Sequence, residues 1–215
     1  MIIEIETVGP FQENCYIIGD EGSKAGAIID PGDEAERILE TAKKTGLQFK
    51  YILNTHAHID HVCAVQDIKE TLQIPFYLHK DDLVLLQNLP KQAAMFGIFV
   101  DRVPDVDFFY GTQTQILIGG LMAEIFHTPG HSPGSVCLYF RSENILFGGD
   151  VLFNGSIGRT DLYGGDYDTL INVIREKLFT LPDETLVYPG HGPMTSIGHE
   201  KRYNPFLNGG AGQFA

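Results

Sequence analysis

The chain has 215 residues, of which 43% are hydrophobic, with 15 Lys and Arg against 28 Asp and Glu and a formal net charge of -13. That length suits one domain spanning 1–215, fraying over 207–215, and the acid excess argues against the basic face that a phosphate backbone requires. No apolar run approaches ~18 residues and Met1-Ile-Ile-Glu-Ile-Glu lacks a signal pattern, while Cys15, Cys63 and Cys137 are too scattered for a disulfide framework, so a reduced cytoplasmic setting away from membranes is expected.

In chain order, Ile2 to Val8, Asn14 to Gly19 and Ala25 to Asp30 read as strands separated by Gly9-Pro10 and Gly22-Ser23, an antiparallel start. Asp33 is placed to cap a helix running to Thr45, with Gly46 at its end and Ala35, Ile38, Leu39 and Ala42 as its apolar stripe. Tyr51 to Asn54 reads as a buried strand that runs into Thr55-His-Ala-His-Ile-Asp-His61.

That heptapeptide packs three imidazoles and a carboxylate into six positions. A lone His is usually structural and an Asp at a helix start is usually a cap, but this density has no common packing use. In extended chain His56 and His58 project to the same side. The later spacing Val62, Ala64, Val65, Ile68, Leu72 is helical, so Asp60 and His61 sit at a helix start and point elsewhere. Two ligand pairs for two adjacent metals follow.

Ile74 to Leu78 then reads as a strand and Asp81 to Asn88 as a helix closed by Leu89-Pro90. The segment 91–111 has no clean period, and either lies over an active site or fills core. Gln115 to Ile118, Leu121 to His127, Ser135 to Phe140 and Asn144 to Phe147 form a second set of strands. A helix from Asp168 to Phe179 and a strand from Thr185 to Tyr188 follow. Two sheets packed face to face with helices outside are the consistent arrangement.

Three of these later segments end an apolar strand with a potential ligand. They are His131 in Thr-Pro-Gly-His-Ser-Pro-Gly, Asp150 after Gly148-Gly149, and His191 in Pro-Gly-His-Gly. The glycines permit the close backbone approach that a crowded ion site needs. Cys63 lies on the apolar side of the helix and reads as core rather than nucleophile. His79, His127 and His199 fall outside the pattern and read as structural or surface residues.

His-x-His-x-Asp-His followed by His131, Asp150 and His191 resembles the metallo-β-lactamase superfamily over nearly the whole chain. The resemblance implies an α+β fold, an αββα four-layer sandwich with two mostly antiparallel sheets and metals at one edge. It also implies His56, His58 and His131 on one ion, Asp60, His61 and His191 on the other, and Asp150 bridging. Zinc suits imidazole and carboxylate ligands, and iron or manganese are compatible.

An Asp rather than a Cys at position 150 resembles glyoxalase II, a thioesterase acting on S-acylglutathione. Pro189-Gly-His-Gly-Pro193, with 24 residues after His191, resembles its short relatives, which lack a C-terminal helical domain. Arg159, in Gly-Arg-Thr-Asp, falls where that family has a basic residue contacting the glutathione portion, although Asp161 or Asp166 can equally be its partner. The expected chemistry is attack of a metal-bridging hydroxide on a small-molecule thioester, with Asp60 orienting it. A persulfide dioxygenase with one iron on His56, His131 and Asp150, and a metal-binding protein without hydrolase activity, are the alternatives. Nothing in the sequence sets an oligomeric state.

Overall fold

In the computed structural model, which describes residues 1–100, 102–111 and 114–208, the period-two alternation of the strands sorts side chains into separate apolar layers. The first half of the chain supplies β1 (Ile2–Val8), β2 (Glu13–Gly19), β3 (Ala25–Ile29), α1 (Ala35–Thr45) and β4 (Gln48–Leu53). The one-turn α2 (Ile59–Val62), α3 (Val65–Leu72), β5 (Phe76–His79), α4 (Leu83–Gln87), α5 (Leu89–Met95) and β6 (Phe108–Tyr110) follow. These six strands form one sheet in sequence order. Short turns make β1, β2 and β3 antiparallel, whereas helical crossovers make β3 to β6 parallel.

The second half supplies β7 (Gln115–Ile118), β8 (Leu121–His127), β9 (Val136–Phe140), β10 (Ile145–Gly149) and the small hairpin β11 (Leu152–Phe153) and β12 (Ser156–Ile157). It ends with α6 (Tyr167–Glu176), β13 (Leu186–Pro189), β14 (Thr195–Ser196) and α7 (Ile197–Tyr203). The second sheet runs β14-β13-β10-β9-β8-β7, antiparallel except for β10 beside β13. Both sheets are therefore mixed, and the antiparallel majority that the resemblance implies for both holds in the second but not in the first, where three of the five pairings are parallel.

Alternation does the layering. In β2, Tyr16 and Ile18 face the second sheet while Cys15 and Ile17 face α1, α3, α4 and α5; in β9, Leu138 and Phe140 face the first sheet while Cys137 and Tyr139 face α6 and α7. Three apolar layers between four layers of secondary structure result, the αββα order. Full burial of each such side chain is worth about 1.5–3 kcal/mol.

Three local expectations are corrected. Asp33 does not cap α1: the N-cap is Glu34 at φ 51, without a side-chain cap, and Asp33 Oδ1 accepts from the Glu34 amide at 2.7 Å, one residue too early. The helix after His61 is broken, because the Ala64 amide donates out of the helix to Pro31 O at 3.1 Å, which separates α2 from α3. Pro90 opens α5 rather than only closing α4, since a first-turn proline loses no helical hydrogen bond. β14 and α7, the latter capped by Ser196 Oγ accepting from His199 N at 3.2 Å, were not legible in the sequence. No helix of the described residues is long and apolar enough to cross a membrane. Of the fraying expected over 207–215, Leu207 is instead buried with its carbonyl accepting from Arg175 at 2.9 Å, and 209–215 lie outside the described residues.

Candidate metal centre

The loops that follow β4, β8, β10 and β13 meet at one edge of the sandwich, and each carries residues singled out by the sequence. Hydrogen bonds between the sheets hold them there: Val136 N donates to Thr55 O at 2.8 Å, and Asn14 N to Gly190 O at 2.8 Å. The Asn14 side-chain Nδ2 also donates to Pro189 O and Gly192 O, at 3.2 and 2.9 Å, so one residue of β2 holds the His191 loop through both backbone and side chain.

His56, His58 and His131 come together as one group and Asp60, His61 and His191 as a second, with the potential ligand atoms of each within 4.8 Å of one another. In the first, His131 Nε2 lies 2.8 Å from His58 Nδ1 and 3.2 Å from His56 Nε2. In the second, His191 Nε2 lies 3.2 Å from Asp60 Oδ2. Asp150 stands between them: Oδ2 is 3.5 Å from His131 Nε2 and 3.6 Å from His191 Nε2, and Oδ1 is 3.5 Å from His61 Nε2. Every metal-ligand candidate from the sequence is in this constellation.

Close approach depends on glycine. A Cβ on Gly190 would stand 2.2 Å from Asp150 Oδ1, and Gly149, at φ 48, would press one on Thr55 Oγ1 at 2.4 Å.

Partners behind the rings settle their tautomers. The Thr55 hydroxyl donates to Asp30 Oδ2 at 2.6 Å, so its oxygen accepts from His56 Nδ1 at 3.1 Å and leaves His56 Nε2 a lone pair facing the centre. His61 Nδ1 donates to Asp30 Oδ2 at 3.1 Å, His131 Nδ1 to Arg159 O at 2.8 Å, and His191 Nδ1 to Phe11 O at 3.1 Å. Each commits one nitrogen outward and presents the other inward, the arrangement that orients metal-binding imidazoles.

Electrostatics separates the two groups. Burial, then the neighbouring imidazoles, hold His56 well below the ordinary histidine range, and burial with His131 lowers His58 to about 3. Burial also opposes charging of His61, but the Asp150 and Asp30 carboxylates outweigh it and raise its pKa well above the usual value. Asp150 ionises more readily than an ordinary carboxyl: burial resists, and His61, His131 and His191 prevail.

Several supporting residues were missed in the sequence. Asp30, almost fully buried at φ 49, accepts from Thr55 N at 2.6 Å as well as from Thr55 Oγ1 and His61. A non-glycine residue in that conformation is strained, and the three contacts are what hold it. Asp82 is fully buried and accepts from Ala57 N, Ser132 Oγ and Gly134 N, at 2.9, 2.8 and 2.6 Å, tying the His56–His58 and His131 loops together. Glu13, fully buried, lies 3.8 Å from His61 Nδ1 with neither carboxyl oxygen hydrogen-bonded among the described residues, and burial pushes its pKa up. Their only sequence signal is an acid beside an apolar run.

The Arg159 guanidinium makes paired 2.8 Å hydrogen bonds to Asp161 rather than Asp166, while lining a cleft with Asp60, Asp150 and His191. Cys63 is partly buried; burial, then Asp33 and Asp60, push its thiol up to about 12, so it supplies no thiolate at neutral pH.

His79, Asp81 and His127 also converge, which the sequence did not anticipate. Their two rings are face-stacked, 4.1 Å apart at 13°, so the in-plane lone pairs run side by side instead of meeting at one ion. The pair is structural. Burial, then His127, lowers His79 to about 4, below the ~6.5 of an unfolded chain. The unfolded state therefore binds the proton first, and stability falls as pH drops from ~6.5 toward 4. Urea unfolding of the wild type is expected to lose about 1–2 kcal/mol more between pH 7 and pH 5 than that of His79→Gln; equal losses would refute this.

The profile of the metallo-beta-lactamase superfamily matches residues 8–191. The chain is 43% identical to hydroxyacylglutathione hydrolase GloC of Haemophilus influenzae, over 97% of this chain and 99% of that protein. Two crystal structures superpose closely. One is the BLEG-1 B3 metallo-beta-lactamase, with a TM-score of 0.91 and 41% identity over 97% of this chain and 100% of that one. The other is TTHA1623 in a di-iron-bound form, with a TM-score of 0.87 and 42% identity over 95% and 100%.

Proposed function

The chain belongs to the metallo-beta-lactamase superfamily, and on that premise we propose that it is a hydrolase with two divalent ions at the sandwich edge, cleaving S-acylglutathione-type thioesters in a cytoplasmic setting. The likeness to GloC supports the substrate class, and the di-iron TTHA1623 leaves iron beside zinc and manganese as the resident metal.

What carries the reading is the convergence of lone pairs. His56 Nε2 and His131 Nε2, whose rings both commit their Nδ1 hydrogens outward, face each other at 3.2 Å and repel unless a cation lies between them. That spacing approaches the ~3.3 Å edge of a tetrahedron with ~2.05 Å bonds, and His58 Nδ1 stands 2.8 Å from His131 Nε2 as the third donor. His61 Nε2 and Asp150 Oδ1 are buried with no hydrogen-bond partner among the described residues. These donors fit hard or borderline divalent ions. His56, His58 and His131 would hold one, Asp60, His61 and His191 the other, and Asp150 both.

When bound, such ions polarise a carbonyl and bring the pKa of a shared water toward ~7. Asp150 keeps its carboxylate charged against the imidazoles that flank it. Asp60, beside His191 Nε2 and at the floor of the cleft, accepts a hydrogen bond from the attacking water and fixes its direction. Hydrolysis forms one carbon–oxygen bond, breaks the carbon–sulfur bond and leaves a carboxylic acid and a thiol. No protein nucleophile is required, in keeping with the protonated Cys63.

Arg159 stands at the lip of the same cleft and is our assignment for a carboxylate of the thiol carrier, in exchange for Asp161. Because it is more than half exposed, the contact is worth only about 1 kcal/mol. Arg159→Gln is expected to raise KM for S-lactoylglutathione about fivefold with kcat little changed, read by steady-state thiol release; an unchanged KM would remove Arg159 from the binding site.

The deciding experiment is elemental analysis of protein purified without chelator, beside thiol release from S-lactoylglutathione. About two metals per chain with thiol release supports the thioesterase. One iron with oxygen consumption on glutathione persulfide would replace it with a dioxygenase. Turnover of a β-lactam in preference to the thioester would move the protein to the antibiotic-hydrolysing branch.

A further inference from the structure

A void that the proposed metal chemistry does not use adjoins the centre on the side away from the Arg159 cleft. It measures about 200 Å³, and Val8, Phe11, Ile59, Cys63, Ile98 and Val100 supply apolar lining. Its lining and that of the cleft have Phe11 and Asp60 in common, so these two side chains form the partition between them. The segment that the sequence left without a period thus builds one wall of this cavity. The Phe96 ring, edge-on to Phe11 at 4.9 Å between centroids, fastens that wall to the turn between β1 and β2.

A thioester carbonyl centred on Asp60 and Asp150 has two substituents that must leave in different directions. The cleft, with Arg159 at its lip, offers a cation to a thiol carrier that bears carboxylates. The cavity offers carbon. Its polar end does not present an unpaired charge: Arg102 is paired with Asp67 and, at 2.9 Å, with Glu70. The Asp33 carboxylate in the lining repels an acyl group that ends in a carboxylate. At about 30 Å³ per water-sized group, the volume holds roughly six such groups.

We propose that this cavity is the acyl-chain subsite, taking a neutral aliphatic acyl group of roughly six carbons while the thiol carrier lies in the Arg159 cleft. The assignment rests on the thioesterase reading and narrows it: the preferred substrate is a medium-chain thioester rather than one with a short polar acyl group. Fit is governed by contact with the apolar wall, so selectivity resides in chain length and in the absence of a terminal charge.

The test compares kcat/KM for S-acetylglutathione and S-hexanoylglutathione on the metal-loaded protein, on Cys63→Phe, which fills the cavity from its floor, and on Val100→Phe, which fills it from the wall. The wild type is expected to favour the hexanoyl ester by about tenfold or more, and either filled variant to cut that ratio about tenfold. In a second measurement, hexanoate titrated into labelled wild-type protein should give saturable amide shifts at Cys63, Ile98 and Val100 that Val100→Phe abolishes.

Thioester turnover with an unaltered hexanoyl-to-acetyl ratio in a folded, metal-loaded filled variant would overturn the subsite and leave the thioesterase standing. If neither ester is cleaved, the thioesterase reading itself fails. Saturable hexanoate shifts at those amides would then still support an apolar acyl-chain site, and their absence would overturn it. Should Cys63→Phe fail to fold, Val100→Phe on the outer wall reads the same ratio.

Discussion

Asp150→Asn is expected to lower thioester hydrolysis by more than about 10³-fold and to reduce bound metal from about two ions per chain to about one or fewer. The Asp150 carboxylate faces His131, His61 and His191 at 3.5, 3.5 and 3.6 Å, and so belongs to both halves of the centre. An amide keeps the shape but loses the charge, and its NH2 group presents hydrogens to one of the two ion positions. Glycine at position 190 leaves Asp150 Oδ1 the space it occupies, since a Cβ there would stand 2.2 Å from it. Metal content by elemental analysis, read beside kcat/KM, checks both parts. Near-normal activity with two metals retained would show that Asp150 does not bridge.

Asp82→Ala is expected to cost about 3–5 kcal/mol of stability, although Asp82 points at no substrate or ion. Its carboxyl accepts from Ala57 N, which lies between His56 and His58, and from Ser132 Oγ and Gly134 N just after His131. Alanine leaves two buried backbone donors and a hydroxyl without that acceptor, each at about 1–3 kcal/mol, and loosens both loops of the first imidazole group. Metal affinity at that group should fall by roughly 10–100-fold, the usual effect of losing a residue that orients ligands. Asp82→Asn, which keeps one acceptor oxygen but turns an NH2 toward a donor, should fall between the two. Urea unfolding of the metal-free proteins measures the first effect and competition with a chelator the second; wild-type values for Asp82→Ala in both would remove its clamping role.

The sequence was most informative where an interaction lies within a few residues. His56, His58, Asp60 and His61 declared themselves through spacing, and α1 through its stripe of Ile38 and Ala42 and its left-handed Gly46. His131, Asp150 and His191 were legible because each ends an apolar strand in a Gly-rich turn. Asp30 and Asp82 were not, since their partners lie 25 and up to 52 residues away and no local pattern marks a buried acid as an acceptor. Asp33 misled for the converse reason. It has the chemistry of a cap, but the left-handed conformation of Glu34 makes that residue the N-cap, one position later.

By itself, then, the sequence singled out the His and Asp side chains that gather at the sheet edge and the apolar faces of the strands, because both are set by residue type and by periods of two and 3.6 along the backbone. Only the tertiary structure decided which nitrogen of each imidazole faces inward, where Arg159 finds its ion partner, and that segment 91–111 borders a cavity at Asp60. Those outcomes depend on elements far apart in the chain meeting at one edge of two packed sheets, where a single hydrogen-bond acceptor such as Arg159 O or Phe11 O fixes a ring that local sequence leaves free to turn.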